Sequence, residues 1–372
     1  MNKSLLACAT LIGTIIGAGV FAIPYVFSQS GVVTCLVYFL VVSITVILLH
    51  LFFGEIVLRT KEESRLSGFA GKYLGKKAKV LVGLALIIGT IGSLLVYIVL
   101  SGQFLALIFP HWLSIFRFSL ITWLVLSFLV FCGTRSIAFL ELLLASALFL
   151  TAGVVIVFCL PKIQLQNFSL FNPDKLFLPF GVFMFSLVGW SAVPESEDIL
   201  PNKKQLKSVI VVSLIICAIF YIIFGLAISG VTGNLTTPEA FEGLVPFLGR
   251  KIIVLAGIFG FLAVATSFLT IANYLKNTFH FDCRIPRLAA FFLACFTPLA
   301  LFIAGLRGFV ALISGLGAFI GLIEGISIVL IWQKAKKQGT RAPEYSLRLP
   351  GYAPYLVIAV LFLGSIFQFF YK

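Results

Sequence analysis

Charged residues are scarce in this chain, and acidic residues are the scarcest. Of its 372 residues 11% are charged, and 13 Asp and Glu stand against 27 Lys and Arg. Hydrophobic residues make up 61% of the chain, and the mean hydropathy is +1.15. Because soluble domains carry about 25% charged residues, this composition argues against a water-soluble enzyme and against a nucleic-acid-binding protein.

Residues that ligate metals or perform catalysis are also few and scattered. The chain has seven Cys and three His, and no two of them show metal-ligand spacing. Most of the cysteines lie inside apolar stretches, where Cys acts as a small hydrophobe. We therefore expect no cofactor, no resident metal and no enzymatic activity. A membrane-embedded enzyme is the weaker alternative, because it needs a cluster of His, Asp or Cys at one membrane interface.

Apolar stretches long enough to cross a bilayer recur from end to end. A membrane-spanning helix needs about 20 predominantly apolar residues, and eleven such stretches follow one another. They predict a multi-pass, all-α integral membrane protein whose spans 1 to 11 cover residues 4–29, 31–58, 79–109, 116–133, 137–160, 178–200, 207–231, 250–276, 287–305, 308–332 and 353–370.

The basic residues are distributed unequally between the two sides of these spans. Of the 27 Lys and Arg, 20 lie on the side of the N-terminus and 7 on the other side. The positive-inside rule then predicts a cytoplasmic N-terminus. This predicts a protein of the plasma (inner) membrane whose partner is the lipid bilayer, and the net charge needs no nucleic acid to explain it.

The spacing of the spans predicts an internal repeat. Spans 6 to 10 begin 171–176 residues after spans 1 to 5, and five is an odd number, so the second unit crosses the membrane in the opposite direction. Inverted repeats of this kind are typical of secondary transporters. We expect one transport domain, with a first repeat at 4–160, a second at 178–332 and an extra helix at 353–370.

Spans 1 and 6 both carry helix-breaking residues near their middle. When Gly19 is aligned with Gly189, Pro24 falls on Pro194. Gly costs about 1 kcal/mol and Pro about 3 kcal/mol in a helix, and backbone groups released in lipid need other partners. Two facing breaks predict a site where free N–H groups bind a carboxylate and free carbonyls bind an ammonium group or a small cation. Close helix packing through glycines is the alternative.

The same residues resemble a known family. Gly-Thr-Ile-Ile-Gly-Ala-Gly at 13–19, Lys-Tyr-Leu-Gly at 72–75, Ala-Val-Ala-Thr-Ser-Phe-Leu at 263–269 and Arg-Gly-Phe-Val at 307–310 are similar to amino-acid permeases of the APC superfamily, particularly the aromatic and hydroxy amino-acid permeases of the amino acid/auxin permease-like group. The resemblance implies a LeuT-like five-plus-five inverted repeat with an eleventh helix. It also implies symport of an amino acid, aromatic or neutral, with H⁺ or Na⁺. An exchanger or uniporter of another small amine or zwitterion is the alternative, and a channel is the alternative of a different class.

Candidate substrate-binding residues come from three spans. In span 1 the backbone N–H groups are the proposed carboxylate cradle, in span 6 an aromatic residue is the proposed lid, and in span 3 a tyrosine needs a polar partner. A packed aromatic is the alternative for the lid. The candidates are Thr14, Gly17, Ala18, Gly19, Tyr97, Phe185, Ser186, Gly189, Trp190 and Ser191.

Candidate ion-coupling residues fall into two groups. The resemblance implies a sodium site made by the carbonyls of Gly13 and Ile16 with the hydroxyls of Thr266 and Ser267, and then Thr266→Ala should weaken sodium dependence. Hydroxyls bonded to the preceding helical turn are the alternative. Glu324 lies deepest in the membrane and is the candidate for a coupling proton or for a structural pair.

Acidic residues nearer the cytoplasmic ends are predicted to form ion pairs, in an arrangement that suits an inner gate. They are Glu55, Glu141, Glu195, Glu197 and Asp198, and their expected partners are Arg59, Arg135 and Lys203.

Overall fold

A computed structural model describes residues 3–62, 64–132 and 149–370, and all of its regular structure there is helical. The start of predicted span 5 lies outside the described residues. The predicted partners Arg135 and Glu141 lie outside them too. The helices are α1 (Lys3–Ile15), α2 (Ile23–Ser30), α3 (Val32–Arg59), α4 (Leu66–Leu74), α5 (Lys76–Ile108), α6 (Ile115–Cys132), α7 (Phe149–Lys162), α8 (Leu178–Leu187), α9 (Val193–Ile199), α10 (Leu206–Thr232), α11 (Val245–Leu248), α12 (Arg250–Asn277), α13 (Arg287–Ile303), α14 (Phe309–Ile320), α15 (Ile326–Gln338) and α16 (Ala353–Phe370).

Many of these helices are long and apolar enough to cross a membrane. Within the described residues seven pass on length and hydropathy, or eight when the bent pair α1 and α2 is taken as one span. Three shorter apolar helices, at Phe149–Lys162, Arg287–Ile303 and Ala353–Phe369, add to them. In lipid a helix satisfies its own backbone hydrogen bonds, which explains why the apolar stretches among the described residues are helical. The count of eleven spans and the repeat boundaries stay predictions.

The helices pack around the two interrupted spans. α5 lies along α12, α8 along α14, and α10 contacts both α1 and α2. The contact of α8 with α14 depends on small residues, because a methyl group on Gly181 would lie 2.9 Å from Ser314 Cα and one on Gly317 would lie 2.7 Å from Phe185 N. Glycines at these two positions let the backbones approach each other closely.

Both predicted breaks are present. In span 1, α1 ends at Ile15, a 3₁₀ turn covers Ala18–Ala22, and α2 follows with a bend of 52°. In span 6, α8 ends at Leu187, and a 3₁₀ turn over Trp190–Ala192 precedes α9. Pro24 and Pro194 each lie in the first turn of the helix that follows the break. Proline is tolerated in a first turn because no backbone N–H is needed there.

Span 10 contains a third irregularity. Between α14 and α15 the chain forms a π-helical turn over Gly321–Gly325, and Glu324 lies within it. Such turns are rare and frequently occur at functional sites. The turn packs against α5 and α16, so it brings a carboxyl group into the centre of the helix bundle.

Candidate substrate and ion site

The two breaks are in direct contact with each other. A methyl group on Gly19 would lie 2.7 Å from Ser186 Cα, and one on Gly189 would collide with the side chain of Ile15. Any larger residue at either glycine must push the two segments apart. The glycines therefore let the unwound parts of spans 1 and 6 meet in the middle of the bundle.

Tyr221 of α10 links the two breaks through its hydroxyl group. Its Oη lies 2.9 Å from the carbonyl oxygen of Ile15 and 2.9 Å from that of Ser186. The side chain is fully buried, and one O–H group is shared between two carbonyls that end two half-helices. Sequence reasoning missed this residue. The signal was available, since a tyrosine in mid-span needs a partner, as was argued for Tyr97.

Each break leaves backbone N–H groups without an acceptor. Among the described residues none is found for the N–H groups of Ala18 and Gly19 in span 1, or for those of Gly189, Trp190 and Ser191 in span 6. These groups lie at the N-terminal ends of the second half-helices, where the partial charge is positive. The arrangement suits the carboxylate of a small ligand.

Tyr97 lies beside the first break and reaches span 8. Its hydroxyl oxygen is 3.6 Å from the position of a methyl group on Gly17, and its hydroxyl group and the Ser267 side chain are hydrogen-bond partners. Thr266 donates to the carbonyls of Leu262 and Ala263, each at 3.0 Å. The O–H group of Thr266 therefore bonds to its own helix, and the lone pairs of its oxygen stay available.

Trp190 and Glu324 form a buried pair. The indole Nε1 donates to the Glu324 carboxylate over 2.9 Å, and the two residues are 2% and 4% exposed. Trp190 thus connects the break in span 6 to the π-helical turn in span 10. The structure joins a predicted substrate residue with a predicted ion-coupling residue, a contact across 134 positions of the sequence.

His50 of α3 also lies beside Trp190. The two ring centroids are 5.6 Å apart, and His50 Nδ1 donates to the Val46 carbonyl over 2.8 Å. Its Nε2 has no hydrogen-bond partner among the described residues and lies 3.5 Å from the position of a methyl group on Gly189. A second titratable group therefore faces the break in span 6.

The remaining candidates differ in exposure. Gly13, Thr14 and Ser191 are exposed, whereas Phe185 is half-buried. The hydroxyl group of Thr14 donates to the Thr10 carbonyl over 2.9 Å. Helix α1 makes its main contacts with α9 and α10. The exposed candidates therefore lie beside α1 and α9.

Aromatic side chains cover the opposite end of the breaks. The ring of Phe21 contacts those of Phe104 and Phe241 at centroid distances of 4.8 and 5.6 Å, and Phe259 lies 6.1 Å away. Phe241 belongs to the loop between α10 and α12. Glu239 in the same loop is buried, and burial raises the pKa of its carboxyl group. The loop and the aromatic cluster close this end of the bundle.

A second buried glutamate lies at the α1 end of the bundle. Glu55 accepts hydrogen bonds from Trp332 Nε1 at 2.8 Å, Leu347 N at 2.9 Å and Ser346 Oγ at 2.8 Å. It also forms an ion pair of 2.8 Å with Arg59. The ion pair with Arg59 was expected from the sequence, and the other partners were not.

A similar ion pair joins α9 to the chain that follows it. Lys203 Nζ lies 3.3 Å from Glu197 Oε1, as the sequence led us to expect. Glu195 lies on the same helix and is exposed, like Asp198.

Two solved structures share this arrangement of helices. The structure of MhsT in complex with L-phenylalanine superposes with a TM-score of 0.69 at 18% identity, covering 98% of this chain and 97% of MhsT. The structure of Mhp1, a nucleobase-cation-symport-1 family transporter with bromovinylhydantoin bound, gives a TM-score of 0.64 at 13% identity, covering 98% and 90%. The fold is therefore that of a LeuT-like membrane transporter.

The family follows from the sequence of the whole chain. The model of the tryptophan/tyrosine permease family matches residues 1–368, and the chain belongs to that family. Glutamine transporter 2 of Aliivibrio fischeri is 26% identical over 294 residues, covering 74% of this chain and 75% of that protein. Tyrosine-specific transport system 1 of Haemophilus influenzae is 28% identical over 287 residues, covering 72% and 71%. The protein is a secondary amino-acid transporter, and the family is not one of enzymes.

Proposed function

We propose that this protein is a proton-coupled amino-acid symporter that binds its substrate between the two breaks. The substrate carboxylate binds the free N–H groups of Ala18 and Gly19, and the ammonium group binds carbonyls of span 6 near Ser186. Access alternates as spans 1, 2, 6 and 7 move against spans 3, 4, 8 and 9. The two breaks support this site because they bring N–H groups, which carry partial positive charge, close to carbonyl groups, which carry partial negative charge.

The contact between Trp190 and Glu324 is the observation that best supports proton coupling. A carboxylate buried in the membrane is costly to keep charged unless a cation or several donors compensate. Within the described residues Glu324 has one donor, the indole of Trp190, and no cation within ion-pair distance. Because Trp190 belongs to the break in span 6, a change of protonation at Glu324 reaches the substrate site through one side chain.

Sodium coupling is the second candidate. The break in span 1 releases the carbonyls of Gly13 and Ile16, and oxygen ligands suit a hard cation. The O–H group of Thr266 points to carbonyls of its own helix, and this leaves the lone pairs of its oxygen available to a cation. Proton coupling is the better supported of the two, because the contact of Glu324 with Trp190 joins that carboxyl group directly to the break in span 6.

The substrate is proposed to be a neutral amino acid, including aromatic ones. The two relatives are named as transporters of glutamine and of tyrosine, and the aromatic rings around Phe21 form an apolar wall for a side chain. The orientation rests on the distribution of Lys and Arg, with the N-terminus and the α1 end of the breaks in the cytoplasm and the protein in the plasma (inner) membrane.

The proposal is tested by separating transport from coupling. Wild-type protein and Glu324→Gln are reconstituted in liposomes, and uptake of a labelled amino-acid panel is driven by a pH gradient, with and without sodium. We expect Glu324→Gln to lose about tenfold or more of its gradient-driven accumulation, as removal of a coupling free energy of 1–3 kcal/mol implies. Counterflow of labelled substrate, which needs no gradient, should persist.

The matched control is Glu344→Gln, which removes a carboxylate paired with Arg341 in the loop before α16. It should change neither accumulation nor counterflow. Gradient-driven accumulation that survives in Glu324→Gln would overturn the assignment, and accumulation that follows sodium at constant pH would transfer it to the sodium site. Ohmic current without counterflow would identify a channel instead.

A further inference from the structure

We propose that this protein has a binding site for the phosphate group of an anionic phospholipid, between α6, α12 and α13. A cavity of about 300 Å³ lies there, away from the two breaks. It is lined by the basic residues Lys276 and Arg287 and by the apolar residues Phe131, Leu288 and Phe291. Pockets between membrane helices that combine these two features bind lipid headgroups.

Lys276 supplies the strongest indication of an anion. The residue is 5% exposed, and its ammonium group donates to the Val130 carbonyl over 3.1 Å. An ammonium group has three N–H donors, and within the described residues no carboxylate lies within 4 Å of it. A buried cation with a single neutral partner is costly, and a phosphate oxygen would supply both charge and acceptors.

The start of α13 adds to the positive potential of the cavity. Arg287 and Leu288 are the first two residues of this 17-residue helix, and both line the cavity. The N–H groups of a first helical turn have no partner within the helix, and the partial charge there is positive. An oxyanion in this cavity would therefore face a lysine, an arginine and a helix N-terminus together.

The walls of the cavity favour a lipid over a soluble anion. Phe131 and Leu288 are 58% and 59% exposed, and the rings of Phe131 and Phe291 are 5.2 Å apart. Apolar side chains exposed on membrane-spanning helices face acyl chains, so the polar end of the cavity is continuous with a surface that binds hydrocarbon. An acyl-linked phosphate satisfies both parts of the cavity, whereas a free phosphate satisfies only one.

The site is tested with the full chain in nanodiscs of phosphatidylcholine, with or without phosphatidylglycerol. Native mass spectrometry measures retained lipid, and thermal unfolding measures stabilisation. We expect phosphatidylglycerol to be retained and to stabilise the wild type, and Lys276→Gln to lower its retention by about tenfold or more, as the loss of a charge-assisted hydrogen bond implies. Arg287→Gln should lower it less, because that side chain is exposed.

Lys251→Gln is the matched control, since it removes an exposed lysine at the opposite end of the same helix α12. It should leave retention unchanged. Equal retention in wild type and Lys276→Gln would overturn the proposal. So would equal stabilisation of the wild type by inorganic phosphate in discs of phosphatidylcholine alone, because that result assigns the site to a soluble anion.

Two acidic residues near these helices in the sequence, Glu141 and Asp282, are not among the described side chains. Glu141→Gln and Asp282→Asn therefore complete the experiment. Unchanged retention of phosphatidylglycerol in both variants supports the lipid site. A marked increase in either variant would show that a carboxylate of the protein occupies the cavity, and this would also overturn the proposal.

Discussion

Two buried glutamates accept a hydrogen bond from an indole N–H, and their surroundings otherwise differ. The Glu55 carboxylate accepts a hydrogen bond of 2.8 Å from the Trp332 indole. It also accepts hydrogen bonds from Arg59, Ser346 and the Leu347 N–H group. The Glu324 carboxylate accepts a hydrogen bond of 2.9 Å from the Trp190 indole and, among the described residues, has no further donor. Solvent exposure is similar, at 0% and 4%. Beside their different depth in the bundle, the number and charge of the donors therefore separate a fixed structural carboxylate from the one to which the proposed mechanism assigns proton exchange.

The two Glu–Trp pairs also lie in different parts of the molecule. Glu55 ties α3 to α15 and to the loop after it, and none of its hydrogen-bond partners belongs to the breaks. Trp190 lies within the break of span 6, so Glu324 is joined to a segment that moves in the proposed mechanism. A compensated carboxylate suits the first task, and an under-compensated one suits the second.

The largest expected effect separates the two glutamates by stability. Glu55→Gln leaves Arg59 without its carboxylate in a buried network, and removing one partner of a buried ion pair costs about 3–5 kcal/mol. Glu324→Gln keeps an oxygen that accepts from Trp190, so its loss should be below about 1 kcal/mol. Thermal unfolding in detergent measures both. Similar losses in the two variants would contradict the distinction.

Tyr221→Phe is expected to have the next largest effect. It removes the O–H group shared by the carbonyls of Ile15 and Ser186, and buried carbonyls left without a donor cost about 1–3 kcal/mol. We expect lower thermal stability and weaker substrate affinity, measured as the Kd for the transported amino acid. Tyr355→Phe, at a residue 64% exposed, is the control. An unchanged Kd would show that the bridge does not position the breaks.

Trp190→Phe sharpens the comparison through pH. The phenyl ring retains an aromatic group in the break but donates nothing to Glu324, and an indole donor favours the charged carboxylate. The pH at which uptake falls to half of its maximum should then be higher than in the wild type, by about one pH unit for the loss of one hydrogen bond. Trp332→Phe removes the equivalent donor from Glu55 and should lower stability without moving the pH profile. A profile that moves in both variants, or in neither, would break the comparison.

Thr266→Ala is expected to have the smallest effect. Its hydroxyl group already bonds to two carbonyls of its own helix, so under proton coupling uptake should change by less than about twofold, the effect of a surface-like substitution. Uptake measured across a range of sodium concentrations is the check. A clear loss of sodium dependence would revive the sodium hypothesis and weaken the role given to Glu324.

Local properties of the sequence predicted much of this molecule. Apolar stretches placed the helices, for example α12 at Arg250–Asn277 against an expected 250–276. Glycine and proline placed both breaks, because their cost in a helix is a property of single residues. The contact of Glu55 with Arg59 was predictable for the same reason, since four positions separate them on one helix.

The sequence by itself therefore determined the class of protein, the helices and the two points where helices break, because hydropathy and backbone propensity act over a few neighbouring residues. Tertiary structure alone decided which distant groups meet there. The indole of Trp190 donates to Glu324 across 134 positions of the sequence, and the indole of Trp332 donates to Glu55 across 277. The hydroxyl group of Tyr221 contacts the carbonyls of both breaks. Such partners depend on how whole helices pack, and no local pattern in a single sequence encodes that packing.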